Sequence, residues 1–318
     1  MRRIRKFLRC SLGLVSRLPE VIQVEVTGRC NLSCRMCPRG VMGVPERDME
    51  FEVFREVFSK VPRAREVILS GWGEPLLHPR FYDMVAYLNE NLPEASVRFT
   101  TNGLLLDLEV LEHRVERVTV SVDGPPGRPS GIGHVSSDLA WSNLERLLKA
   151  RRGELPEVHI QSVIQGPAED LVRLAGRLGA DGVTLVRLDT RHDPGLSRPS
   201  WEEERKIVRR AKAVGRDLGV QVFCANDQGW ALRLAGHLDR RCLRTDDYIY
   251  VDLDGNVTPC CNLRWYVCGN LLKQDLRKIW KGRRFQEFRM NQKTICDGCD
   301  ALKYRYIGGR RQEAGNRR

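Results

Sequence analysis

Three cysteines lie close together near the amino end of the chain, at Cys30, Cys34 and Cys37. Thiolates of this kind bind zinc or iron–sulfur clusters. Structural zinc normally takes four ligands, and none of the residues that follow the trio supplies a close fourth. A cubane cluster held by three thiolates leaves one iron open, and that iron can chelate a small molecule through its amine and carboxylate. The spacing therefore favours an open iron–sulfur cluster, with a zinc knuckle as the alternative.

Most of the other cysteines lie in the last third of the chain, at Cys242, Cys260, Cys261, Cys268, Cys296 and Cys299. The total of eleven is odd, and the two clusters are unlike the spread cysteines of a small secreted disulfide scaffold. No signal peptide is recognisable, and no run of about eighteen apolar residues predicts a membrane span. Clustered thiols in such a chain indicate metal ligation, and we expect a reducing cytoplasmic location.

The charge balance of 53 basic and 41 acidic residues gives a net charge of +12, with much of the excess at the two ends. Nucleic acid, an acidic substrate or anionic lipid could use this charge. A solvated basic surface is the favoured interpretation, and nucleic acid is not expected as a partner. Apolar residues share one face of a basic helix predicted over 1–19. We expect this helix to pack against the rest of the protein, with a membrane-surface role as the alternative.

The elements that must position the first cysteine trio alternate between strand and helix. Short apolar strands are predicted at 21–26, 66–70, 97–101, 117–122, 158–164 and 182–188, and helices at 51–60, 79–92, 140–151 and 168–178. This alternation predicts a parallel sheet with helices outside it. Six units are fewer than a full eight-fold barrel, so the fold class is α/β with a partial (β/α)6 TIM-type barrel over 20–200. Active-site residues of such folds lie on the loops that follow the strands.

The cysteine trio lies in the loop after the first strand, with the apolar Met36 just before the last cysteine. This CxxxCxxC pattern resembles the radical S-adenosylmethionine (SAM) superfamily. The resemblance implies that Cys30, Cys34 and Cys37 bind a [4Fe–4S] cluster whose open iron binds the amino and carboxylate groups of SAM. It also implies reductive cleavage of SAM to a 5′-deoxyadenosyl radical, with a flavodoxin- or ferredoxin-type electron donor.

Polar and glycine-rich motifs follow the next three strands. The segment Ser-Gly-Trp-Gly-Glu-Pro at 70–75 resembles the family's Gly-Gly-Glu-Pro element, with Trp72 in place of one glycine. The resemblance implies that five residues bind SAM: Gly73, Glu74, Asn102, Ser121 and Asp123. It implies that Glu74 does so by accepting hydrogen bonds from the SAM ammonium. Taken singly, Asn-Gly and Asp-Gly are common turn dipeptides. Their order after consecutive strands, downstream of the cysteine trio, favours the binding role.

The C-terminal third resembles the SPASM or twitch modules of radical SAM maturases, over residues 236–305. The features that carry this resemblance are Cys242, the Gly-x4-Cys spacing from Gly255 to Cys260, and the final pair Cys296 and Cys299. The resemblance implies an auxiliary [4Fe–4S] cluster on those four cysteines. We expect one such cluster and not two, because no further cysteine follows the pair. The neighbouring Cys261 and Cys268 compete as ligands, and a four-thiolate zinc site is the alternative.

A hairpin is predicted between strands at 248–251 and 257–258, and an amphipathic helix around 276–280. A connecting helix and strand are expected over 201–235, and a basic tail over 306–318.

The function expected from this resemblance is hydrogen abstraction from a peptide or cofactor-precursor substrate. A dehydrogenase or epimerase acting on a sugar or other small molecule is the first alternative. A non-catalytic iron–sulfur electron carrier is the alternative from another class. Glu74 argues against the carrier, because a carrier needs no pocket for the SAM ammonium. No general acid or base is identifiable from the sequence.

Overall fold

The computed structural model describes residues 18–127, 137–193, 195–224 and 242–300. The helix expected over 1–19 lies outside the described residues except for its last two positions. The basic tail expected over 306–318 lies outside them entirely.

Seven strands run parallel to one another in the order of the sequence. They are β1 (Val21–Val24), β2 (Glu66–Leu69), β3 (Ser96–Thr101), β4 (Arg117–Ser121), β5 (Glu157–Ile164), β6 (Gly182–Arg187) and β7 (Gln221–Cys224). Valine, isoleucine and threonine fill about half of these positions, and their branched side chains suit a pleated, half-buried surface. Burial alternates along β1 to β4, so alternate side chains point into the core below the helices.

Five helices connect these strands: α1 (Phe51–Ser59), α2 (Phe81–Asn91), α3 (Ser137–Ala150), α4 (Glu169–Leu178) and α5 (Trp201–Leu218). Their apolar faces join the buried strand residues in one hydrophobic cluster. The longest, α5, begins with a capping box in which Ser200 and Glu203 satisfy each other's backbone donors. It ends at Gly219, whose φ of 70° is the left-handed conformation that closes a helix. No helix in the described part of the chain has the length and apolar character needed to cross a membrane.

The C-terminal segment adds three strands to the same sheet, β8 (Tyr248–Val251), β9 (Asn256–Thr258) and β10 (Gly269–Asn270). Strand β8 runs parallel to β1, with Val21 opposite Tyr248, and β9 and β10 follow by antiparallel pairing. Three short helices come after them: α6 (Leu276–Lys281), α7 (Arg283–Met290) and α8 (Gln292–Ile295). The sheet order is linear, from β10 at one end to β7 at the other, so the described barrel is open.

The structure confirms the predicted fold class, and the six predicted strands appear with ends shifted by at most two residues. The predicted hairpin is β8 and β9. The helix and strand expected over 201–235 are α5 and β7, and β7 continues the parallel sheet beside β6. The sheet is therefore larger than the six predicted units, because β7 and β8 extend it on both sides.

A buried histidine on β5 links pH to stability. The ring of His159 stacks on Phe223, with ring centroids 5.6 Å apart. Gly182 pairs with His159 in the sheet and has no side chain to block this contact. Burial, and after it the nearby Arg117, lower the pKa of His159 to about 4 against the opposing effect of Glu157. The folded protein therefore holds this imidazole neutral at pH 7.

We expect the free energy of unfolding to decrease as the pH falls from about 6.5 towards 4, because the unfolded chain binds this proton first. The loss from this group is at most roughly 1.4 kcal/mol per pH unit. His159→Phe keeps the stacked ring and removes the titration, so its urea midpoint should fall less between pH 7 and pH 5. An equal fall in both proteins would contradict this origin of the pH dependence.

Candidate active site

The cysteine trio lies in a loop after β1 that is closed at its base, and we call residues 28–48 the cysteine loop. Arg29 donates to both carboxylate oxygens of Asp48, at 3.0 and 2.7 Å. Thr27 donates to the same carboxylate at 2.6 Å. Within the loop, the Cys37 amide donates to the Cys34 carbonyl at 3.0 Å. These bonds fix both ends of the segment that carries the thiols.

The three thiols are near one another and only partly covered. Cys30 and Cys34 are half-buried, and Cys37 is exposed. Burial, and after it the neighbouring Cys37 and Cys30, raise the pKa of Cys34 to about 11. A thiol that binds a metal must give up its proton, so metal binding by these three thiols would release protons.

The loop that follows β2, residues 70–75, packs directly on the cysteine loop. A side-chain carbon on Gly73 would lie 2.3 Å from the Thr27 carbonyl oxygen and 2.5 Å from that of Arg29. The Glu74 amide donates to the Arg29 carbonyl at 2.8 Å. Gly73 therefore lets this loop approach the backbone of the cysteine loop, a contact that the sequence motif does not reveal.

The Glu74 carboxylate is buried, with 3% of the residue exposed. Its Oε1 accepts hydrogen bonds from the Thr101 hydroxyl at 2.7 Å and the Leu76 amide at 3.2 Å. Its Oε2 accepts from the Asn102 amide at 2.7 Å. Burial raises the pKa of Glu74, and these three donors act against that rise. The carboxylate thus joins the loops after β2 and β3, and Oε2 keeps capacity for a further donor.

The remaining rim residues lie at the ends of β3 and β4. Asn102 Nδ2 donates to Asn31 Oδ1 in the cysteine loop at 2.7 Å. Asp123 accepts from the Val163 amide at 3.2 Å, and its charge is one of those that raise the pKa of Cys34. Ser121 Oγ accepts from Gln161 on β5 at 3.4 Å. The structure therefore brings Glu74, Asn102 and Asp123 to the cysteine loop, whereas Ser121 contacts β5.

The donor set suits a cluster bound by three thiolates. Within the described ranges, no group of three or more Cys, His, Asp or Glu side chains is gathered around a single metal position. A cubane needs no such group, because each thiolate binds a different iron. Three thiols lie on a loop that is fixed at its base and packs against the loop of the buried Glu74 carboxylate. This arrangement fits a cluster with one open iron.

Four of the C-terminal cysteines interact with one another. Burial, and after it the neighbouring Cys299, Cys242 and Cys260, raise the pKa of Cys296 to about 12. The Cys299 amide donates to the Cys296 carbonyl at 3.0 Å, which holds the final pair in one turn. These are the four cysteines that the sequence resemblance implies as ligands of an auxiliary cluster.

The two competing cysteines have other surroundings. Burial raises the pKa of Cys268 to about 12, and the charged groups that act on it are Arg284 and Arg289 rather than other thiols. The Cys261 thiol lies beside Cys260. Burial raises the pKa of the Tyr248 phenol, and the neighbouring Cys261 raises it as well. Cys268 packs against the same small core as Cys260 and Cys296, while Cys261 lies next to Cys260.

Two buried contacts join the C-terminal segment to the loops of the barrel. Glu25 is fully buried at the end of β1, where it forms an ion pair with Arg264 and accepts from the Trp72 amide at 3.1 Å. The Trp72 indole Nε1 donates to the Cys261 carbonyl at 3.2 Å. Trp72, the departure from the glycine motif, therefore joins the loop after β2 to the loop that carries Cys260 and Cys261.

Sequence reasoning missed the loop between β6 and α5, residues 188–200. Asp193 on this loop accepts from Arg35 of the cysteine loop at 2.8 Å. Arg198 forms an ion pair with Asp300, the residue after the final cysteine pair. The same loop thus contacts both cysteine-bearing segments. The available signal was the polar segment Asp-Thr-Arg-His-Asp at 189–193, shortly after an apolar strand.

Two family models match the chain. The radical SAM superfamily model matches residues 24–163, and the SPASM iron–sulfur cluster-binding domain model matches residues 242–300. The first match contains the cysteine loop and its rim, and the second contains all four interacting C-terminal cysteines.

Full-length relatives and solved structures agree with these matches. The chain is 24% identical to the tungsten-containing aldehyde ferredoxin oxidoreductase cofactor-modifying protein of Pyrococcus furiosus, over 89% of this chain and 90% of that protein. It is 25% identical to the AdoMet-dependent heme synthase of Methanosarcina barkeri, over 92% of this chain and 95% of that protein. Streptococcus suis SuiB, solved with its precursor peptide SuiA, has the same fold, with a TM-score of 0.70 and 12% identity over 95% of this chain and 74% of that chain.

The two models together cover more than half of the chain, and the cysteines they contain are those that the structure groups. Its cofactors are therefore SAM, the [4Fe–4S] cluster that binds SAM, and auxiliary iron–sulfur clusters. The chain belongs to the radical SAM superfamily of enzymes and carries a C-terminal SPASM domain.

Proposed function

We propose that this radical SAM enzyme abstracts hydrogen from a peptide or cofactor-precursor substrate. The observation that carries the proposal is the direct contact between the SAM rim and the auxiliary cysteines' loop through Trp72 and Cys261. An electron carrier needs no buried rim at a cluster with an open iron. The two full-length relatives are named for cofactor modification and heme synthesis, which supports a cofactor precursor more than a peptide.

In this proposal Cys30, Cys34 and Cys37 hold the cluster, and the loops after β2, β3 and β4 hold SAM. When bound, the cluster and SAM supply a 5′-deoxyadenosyl radical, and the protein contributes binding, orientation and protection. Glu74 orients the SAM ammonium through Oε2 while its other bonds keep the rim closed. Gly73, Asn102, Ser121 and Asp123 complete the rim, since their loops meet at the same end of the parallel strands.

We assign one auxiliary [4Fe–4S] cluster to Cys242, Cys260, Cys296 and Cys299. A flavodoxin- or ferredoxin-type protein supplies the electron that starts each turnover. The cluster that these four cysteines would hold would supply an acceptor for an electron from the substrate, or an anchor for the substrate, beside the radical site.

The first test is SAM cleavage. Anaerobically reconstituted protein given dithionite should convert SAM to 5′-deoxyadenosine and methionine, measured by chromatography. Alanine at Cys30, Cys34 and Cys37 together should abolish the conversion, because no open cluster can form. Cys224→Ala, outside both cysteine groups, should leave it unchanged. Cleavage that persists in the triple variant would show the proposed site to be wrong.

Glu74→Gln tests the rim. The variant keeps the shape but loses the charge, and its amide nitrogen must face one of the three donors. A hydrogen bond to a charged group contributes on the order of 1.5–3 kcal/mol, so SAM affinity should fall about tenfold or more. The readout is the SAM-induced change in the EPR signal of the reduced cluster, with iron content expected to be unchanged.

Glu66→Gln, at the other end of the same strand β2, is the matched control and should bind SAM like the unmodified enzyme. Unchanged affinity in Glu74→Gln would limit this carboxylate to a structural role between the two loops.

The auxiliary ligands can be tested in the triple alanine variant, which should retain about four irons, as expected for one cubane. A further Cys260→Ser substitution should lower this iron content, whereas Cys261→Ser should keep it. Zinc in place of iron after anaerobic purification would overturn the cluster and leave a structural metal site.

A further inference from the structure

The SPASM domain exposes apolar and basic side chains side by side. Trp265 is 66% exposed and Val267 is 36% exposed. Arg284 donates to the Val267 carbonyl at 3.5 Å, and its guanidinium lies 4.3 Å from the centre of the Tyr266 ring. Arg283 comes directly before it on α7, with a side chain that is 91% exposed. We call Trp265, Val267, Arg283 and Arg284 the Trp265 patch.

Positive charge dominates the helices around this patch. In residues 273–293 the exposed basic side chains are Lys273, Arg277, Lys278, Lys281, Arg283, Arg284 and Lys293, and the exposed acidic one is Asp275. Glu287, which is partly buried, pairs with Arg283 at 2.7 Å. The segment that contains Arg283 and Arg284 of the patch therefore has an excess of exposed positive charge.

One aromatic layer separates the patch from the auxiliary cysteines. Trp265 meets the buried Tyr266 edge to face at 5.5 Å, and Tyr266 packs on Phe288 with centroids 5.7 Å apart. These two rings form a small core against which Cys260 and Cys296 pack. An electron that enters or leaves at Trp265 therefore has a short path to the auxiliary ligands.

We propose that the Trp265 patch is the docking surface for an acidic one-electron carrier protein that exchanges electrons with the auxiliary cluster. Positive charge around an apolar centre is complementary to such a carrier, and this type of complex typically has a small interface whose encounter rate depends on charge. In each exchange the reduced carrier loses one electron and the oxidised cluster gains it, or the reverse. The inference rests on the auxiliary cluster assigned above.

The experiment uses the triple alanine variant of the radical-cluster cysteines, so that only the auxiliary cluster changes colour on reduction. The probe is reduced flavodoxin, mixed with the protein in a stopped-flow instrument. Arg283→Glu with Arg284→Glu should lower the second-order rate about tenfold or more at low salt, the size expected for lost electrostatic steering. The difference should shrink as salt is added, because salt screens exposed charges.

The matched control is Arg205→Glu with Arg209→Glu, which makes the same charge change on exposed positions of α5. This control should keep most of the rate. A neutral photoreduced deazaflavin should reduce all these proteins equally, provided that their iron content is the same. An equal loss of rate in the α5 control would overturn the proposal, because net charge alone would then explain the effect.

Trp265→Ala offers a second variant without a charge change. Its affinity for oxidised flavodoxin, measured by titration calorimetry, should fall while its iron content stays constant. Unchanged affinity and rate in both patch variants would also overturn the proposal, as would patch-dependent binding to anionic lipid vesicles without any effect on flavodoxin. These outcomes are independent of SAM cleavage, so failure here is distinguishable from failure of the proposed function.

Discussion

The parallel pairing of β8 with β1 determines where the SPASM domain lies on the barrel. Val21 to Val24 match Tyr248 to Val251 residue for residue, so a slip by one position would turn every side chain of β8 to the opposite face. All four residues of β8 are buried, which makes the register costly to change. Through this pairing the C-terminal domain is an extension of the barrel's own sheet, and its loop at Cys261 contacts the loop after β2.

A buried ion pair strengthens the same junction. Glu25 and Arg264 lie far apart in the sequence, and removal of one partner from such a buried pair typically costs about 3–5 kcal/mol, because the other charge is left uncompensated. Trp72 adds a hydrogen bond from its amide to Glu25 and another from its indole to the Cys261 carbonyl. A glycine at position 72 could make the first of these contacts and not the second. The departure from the family's glycine motif therefore has a definite role in joining the two domains.

Much of the fold could be predicted because its signals are local. Short apolar strands between amphipathic helices specify a parallel sheet wherever they occur, so the six strands were predicted within two residues of their ends and the four helices within three. The strand at 221–224 was also expected, but its place beside β6 was not. Which strands become neighbours depends on contacts distant in sequence, and β7 is too short and too exposed to reveal its partner.

The sequence by itself determined the chemistry: three thiols in a CxxxCxxC loop, a glutamate after the second strand and a cysteine group near the end. Those patterns are local, because a loop of eight residues must bring its own thiols together. Only the tertiary structure decided that Gly73 packs on the cysteine loop, that Glu74 is held by three donors, and that the loop at 188–200 contacts both cysteine segments. These features need partners from distant parts of the chain, and close packing selects those partners only once the sheet has formed.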